Sequence, residues 1–151
     1  MSLVDAAIYA THLVFAGLWS GTVLFTSYAV VPAALNGDLQ AGALETMAGK
    51  LRTVSRASAL LLLLTGGHLA ATRYTSESLF GTGRGHLVLT MVALWFALAA
   101  LVEIGGSKIA DGTAQQKVRQ PAADARPFLL AASVVAVALL IDAGAILGLY
   151  Y

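Results

Sequence analysis

The chain has no cysteine. Disulfides, thiolate metal centres and cysteine nucleophiles are thereby excluded, while the redox compartment stays open. Charge is scarce too. Nine basic and eight acidic side chains make up 11% of the 151 residues, against roughly 25% in an average soluble domain. So few charges cannot cover the surface of a water-soluble monomer of this size. The net charge of +1 leaves no electrostatic footprint for nucleic acid. A disordered chain is excluded from the other side, because 58% of the residues are apolar. What remains is an all-α integral membrane protein.

A spanning helix needs about 20 mostly apolar residues. No charge intervenes between Asp5 and Asp38, between Arg56 and Arg73, or between Arg84 and Glu103, and Asp142 is the only charge from Pro127 to Tyr151. This predicts four helices near 6–34, 55–74, 86–105 and 127–150, the second with an alternative earlier start through the mildly amphipathic stretch 39–52, folded as one antiparallel four-helix transmembrane bundle in a single domain. The first is longer than a bilayer requires, and Pro32 is expected to kink or end it. The start lacks the basic region of a cleaved signal peptide. The stretch Gly105–Arg126 reads as a long polar loop, and the glycines at 81, 83 and 85 as an external hairpin. Their spacing is too short for a phosphate cradle, and no nucleophile elbow is present.

Lys50, Arg52 and Arg56 follow the first segment, and Lys108, Lys117, Arg119 and Arg126 follow the third. Only Arg73 and Arg84 lie between the second and third. The positive-inside bias therefore predicts a cell-membrane protein with both termini outside, and Tyr74, Tyr150 and Tyr151 at the outer interface. Gly17-x-x-x-Gly21 and Gly144-x-x-x-Gly148 are small-xxx-small patterns, suited to contacts within the bundle or to a homodimer.

Ionisable groups inside spans are costly and mark functional sites by default. His12, His68 and Asp142 each fall about two turns from the outer end of a different segment, and His86 opens the third on the same side. Topology alone thus gathers four ionisable groups in one leaflet. Glu103, at the opposite end, reads as solvated at the interface. Asp142 reads as a proton group, or as structural glue bonded to Thr65 or a histidine. His12-Leu13-Val14 recurs as His86-Leu87-Val88, and the same offset carries His68 onto Asp142, the pattern of an internal duplication.

Imidazole on neighbouring helices suits haem iron, copper or a proton relay. For haem b, His12 and His68 would be axial ligands. Trp19, two turns below His12 on one face, would form the wall, and Arg84 would meet a propionate. For copper, His12, His68 and His86 would be direct ligands; Met91 is the only methionine near, so a Met-rich copper path is absent. His86 and Asp142 would be supporting or proton groups around haem. A non-enzymatic structural subunit, whose polar groups only pin helices together, is the third class. A redox partner is expected in the first two.

The run His12-x6-Trp19-x-Gly21-x3-Phe25, followed by Val30-Val31-Pro32, resembles the first helix of the CopD-like superfamily, which includes copper-resistance D membrane domains. It is also similar to the four-helix HemJ-type protoporphyrinogen oxidases. The leucine-rich second segment ending Thr65-Gly66-Gly67-His68 and the four-span size fit as well. Elsewhere the likeness is hydropathy only. The resemblance implies that His12 is a haem or metal ligand, with copper movement implied by the CopD branch and haem b with protoporphyrinogen oxidation by the HemJ branch. The third segment departs from the HemJ pattern. Arg84-Gly85-His86 stands where a Trp and a Lys are expected, which counts against protoporphyrinogen oxidation.

Overall fold

The computed structural model describes residues 2–149. Four helices are long and apolar enough to cross a membrane, and no strand occurs among the described residues. Helix α1 (Leu3–Phe25) passes through a π-helical turn at Thr26–Val30 into α2 (Val31–Asn36). Helix α3 covers Ala41–Arg73, the short α4 covers Ser76–Gly81, α5 covers Gly83–Thr113 and α6 covers Arg119–Gly148. Neighbours in the bundle run α1, α3, α5, α6 and back to α1, an up-down-up-down ring.

Local chemistry sets the ends. Ser2 and Asp5 form a reciprocal capping box at the start of α1, each side chain accepting from the other's backbone N–H at 3.1 Å. Pro32 does not end the first span as expected. It has no N–H to lose and follows directly on the π turn, where the hydrogen-bond ladder shifts by one residue, so the helix runs on. Gly37, left-handed at φ 81°, then stops it with a Schellman turn, Asp38 N–H donating to Ala33 O at 2.9 Å.

The remaining helices are longer than the charges suggested. Helix α3 takes the earlier of its two expected starts, at Ala41, so Lys50, Arg52 and Arg56 are helical and not in a loop. The expected loop Gly105–Arg126 is mostly helix, with the chain turning only between Thr113 and Arg119. Pro121 sits in the first turn of α6 and Pro127 inside it. The reason is a buried seam that ignores the charges. On α3 the buried positions are Ala41, Leu44, Ala48, Leu51, Ser55, Ser58 and Leu62, alternating by three and four. On α6, Ala122, Ala125, Leu129, Ala132 and Ala136 repeat that spacing. This is the heptad pattern of supercoiled helices, whose knobs fill facing holes. The glycines 81, 83 and 85 do lie where the chain reverses between α3 and α5, but in helical turns: Gly81 ends α4 and Gly85 lies in the first turn of α5, where a side chain would collide with the carbonyls of Ser78 and Leu79.

Close helix approach comes from glycines other than those in the small-xxx-small patterns. A Cβ at Gly105 would press on Leu129, at Gly106 on Arg52, and at Gly112 on the Pro121 ring. At Gly17, Gly21, Gly144 and Gly148 it would meet nothing within 4 Å among the described residues, so these four make no close contact with the rest of the described bundle. Tyr150 and Tyr151, expected at the outer interface, lie outside the described residues.

Candidate functional site

The polar residues at the cavity end are placed by the antiparallel pairing of α1 with α3. His12 Nδ1 lies 2.8 Å from Thr65 Oγ1, and Thr65 Oγ1 lies 2.6 Å from Leu61 O. A hydroxyl has one hydrogen, and a carbonyl can only accept. Thr65 therefore donates to Leu61 and accepts from His12 Nδ1–H. That assigns the tautomer: neutral His12 carries its proton on Nδ1, and its Nε2 lone pair is uncommitted. Gly66 permits this geometry, since a Cβ there would stand 3.1 Å from the imidazole Cε1.

His12 lines a cavity of about 280 Å³ walled by all four long helices. Ala16 and Gly17 continue its α1 wall, Gly66 and Gly67 supply α3, Met91 and Trp95 supply α5, and Leu139 and Ala143 supply α6. Part of the space is made by missing side chains, because a Cβ at Gly17 or Gly67 would meet nothing within 4 Å. Trp95 is held in place by its indole N–H, which donates to Ala59 O at 3.1 Å. At the deep end lie Trp19, 1% exposed, and Ser20, 4% exposed. The Trp19 indole N–H is buried without an acceptor. A smaller space of about 120 Å³ lies towards the helix ends. His12 borders both spaces, and the smaller one is flanked by Arg73, Arg84, Tyr9 and Tyr74. The Arg73 guanidinium stands 5.8 Å from the centre of the Tyr9 ring, within cation–π range. The arrangement is an apolar slot with one free imidazole nitrogen in its wall and two guanidinium groups at its mouth.

The other expected site residues share this end of the bundle but do not converge. His68 borders neither space; its Nε2 lies 3.8 Å from Asp5 Oδ1, and its side chain is 42% exposed. His68 lies three residues beyond Thr65, about 60° away around α3 and about 4.5 Å nearer its end, and there its ring meets Asp5 rather than the cavity. His86 Nε2 lies 2.8 Å from Phe80 O, an acceptor only, so His86 donates its proton there and ties α5 to the end of α4. No three His, Asp or Glu side chains stand close enough to share a metal ion among the described residues. Asp142 is 7% exposed, and its Oδ2 is buried without a hydrogen bond. Its expected partner Thr65 is engaged with His12 instead. Along α6 it falls between Leu139 and Ile146, which line the larger and smaller spaces respectively.

Reading by depth missed Thr65 as the partner of His12, and Arg73 as the second cation at the mouth. The available signal for Thr65 was the antiparallel register, which sets residue 12 opposite residues 65 and 66. Glu103 is 42% exposed, in keeping with its solvated reading, and two guanidinium groups that the sequence reading did not assign to it also clasp it, Arg52 Nη2 at 2.6 Å and Arg56 Nη2 at 2.5 Å.

Comparison with known protein families, curated proteins and solved structures finds no match.

Proposed function

We propose that this chain is a multi-pass protein of the cell membrane that binds haem b through His12 and serves in electron transfer. The observation that carries the reading is the uncommitted Nε2 of His12 in the wall of an apolar, four-helix cavity. Metal-ligating histidines characteristically donate their other ring N–H to a fixed acceptor, which orients the ring and raises its basicity, and Thr65 is placed for that role. Trp19, Trp95 and Met91 offer the aromatic and polarisable wall that a flat macrocycle requires. Arg73 and Arg84 are placed for two carboxylates at the mouth. Bound haem would supply one-electron chemistry; the protein's part is to hold it, orient it and exclude water. His68, facing Asp5 outside the cavity, is not included as a ligand, so a single protein ligand is proposed. The basic ends of the helices favour a cytoplasmic location by the positive-inside bias, which puts the cavity and both termini on the outer side.

The test is the absorption spectrum of protein purified in mild detergent. A Soret band that is lost in His12→Ala and kept in His68→Ala supports this assignment. A colourless wild type carrying stoichiometric copper would move the site to copper. A colourless, metal-free protein, with His12→Ala as stable as wild type, would leave only a structural role.

A further inference from the structure

At the end of the bundle opposite the cavity, Glu103 of α5 accepts from two arginines one turn apart on α3. Arg52 donates through Nε at 3.2 Å and Nη2 at 2.6 Å; Arg56 donates through Nε at 3.2 Å and Nη2 at 2.5 Å. Residues four apart share a helix face, so the two planar forks sit side by side. Gly106 makes room for this, because a Cβ there would overlap the aliphatic stem of Arg52. The slot is built for the arginine.

The charge does not close. Two guanidinium ions meet one carboxylate, leaving one positive charge in excess. Each fork turns its Nε and Nη2 to Glu103, and neither Nη1 has a partner among the described residues. No second carboxylate reaches either arginine. The Arg56 side chain is 62% exposed and the Arg52 side chain 27%, so the outward edges are accessible from outside the bundle.

Depth decides what lies outside. Arg56 stands 17 residues before Arg73 on α3, about 25 Å along the axis; Glu103 stands 19 residues after Arg84 on α5, about 28 Å. Arg73 and Arg84 mark the opposite interface. A hydrocarbon core is about 30 Å thick, so the trio falls at the boundary between acyl chains and headgroups of the second leaflet. Flanking it are Leu60 on α3 and Ile104 on α5, exposed apolar side chains within about 6 Å of that level along the helix axes.

We propose that the Arg52–Glu103–Arg56 trio is a binding site for the phosphate of an anionic phospholipid in the leaflet opposite the cavity. The two free Nη1 edges are the donors, and the excess charge matches a headgroup of net charge −1. Glu103 acts as a positioning residue: it holds both forks by their inner edges and leaves the outer edges pointing to lipid. The site rests on the membrane reading but is independent of haem.

The full chain, purified in mild detergent and stripped of lipid, is offered equal amounts of phosphatidylglycerol and phosphatidylcholine, and the retained lipid is counted by native mass spectrometry. Wild type should retain phosphatidylglycerol about tenfold better, because both lipids carry the phosphate but the choline cation of phosphatidylcholine is repelled by the excess positive charge. Arg56→Gln should lose that preference. Arg56→Lys keeps the charge without the fork and should keep part of it, and this variant carries the comparison if Arg56→Gln fails to fold. Equal retention of the two lipids by wild type, or a preference that survives Arg56→Gln, overturns the proposal. Displacement of the lipid by millimolar inorganic phosphate would overturn the lipid as the source. Failure of the membrane reading is separable, since the protein would then stay monodisperse without detergent.

Discussion

The two ends of the bundle are built differently. At the basic end, Leu44, Leu51, Val102, Ile109, Ala122, Ala125 and Leu129 are each 1% exposed or less, the glycines 105, 106 and 112 lie against facing side chains, and the Glu103 carboxylate is doubly paired. At the other end the helices stand apart around the His12 cavity, the glycines 144 and 148 touch nothing, and the carboxylate of Asp142 has an oxygen without a partner. Dense packing and satisfied charge hold a fold; open volume and uncommitted polar atoms are what a ligand site requires. The chain separates the two tasks along its length.

This contrast can be broken by substitution. The largest effect is expected from Leu44→Ala at the packed end. It leaves a cavity that neighbouring helices cannot fill and should cost about 2–5 kcal/mol, read as a lower unfolding midpoint in detergent. A loss below about 0.5 kcal/mol would mean that this end is not the stabilising core. Gly112→Ala is next. Its new methyl group meets the Pro121 ring and should destabilise by about 1–3 kcal/mol. Thr65→Val acts on the site rather than the fold. It removes the acceptor that orients His12, and haem retention should fall by about 10–100-fold while the unfolding midpoint moves little. Haem affinity unchanged in Thr65→Val would separate the tautomer argument from ligand binding. Gly144→Ala makes the same chemical change as Gly112→Ala, but into open space, and should stay within about 0.5 kcal/mol of wild type. If the two glycine variants behave alike, the ends do not differ in packing.

The four long helices were legible because their apolar runs are long and nearly free of charge, and the gathering of His12, His68, His86 and Asp142 at one end followed from topology alone. Helix length was not legible from charge. Arg52, Arg56 and Arg126 interrupt the hydropathy but leave the three-and-four spacing of the seam intact, and the seam decides where the helices run. That spacing was present in the sequence and disguised by composition, since Ala, Ser and Gly fill many of its positions. Convergence of side chains was the least legible. Depth follows from residue number, but direction depends on rotation about each helix axis, and the neighbours of His68 and His86 become known only once α1 and α4 are placed.

The ring also has an order of assembly written into its contacts. The pairings of α1 with α3, α3 with α5 and α5 with α6 join helices adjacent in sequence, and each can form as soon as its second member has been synthesised. Closure cannot. It depends on Ser27 donating to Leu129 O at 2.8 Å and Arg119 donating to Asn36 O at 3.3 Å, partners 102 and 83 residues apart. Until α6 arrives, the Ser27 hydroxyl has only the acceptor in its own helix, Val23 O at 2.9 Å, and the face that α6 covers stays open. A chain ending before Arg119 would therefore hold three long helices without the fourth that closes the ring, an open array rather than a smaller version of the bundle.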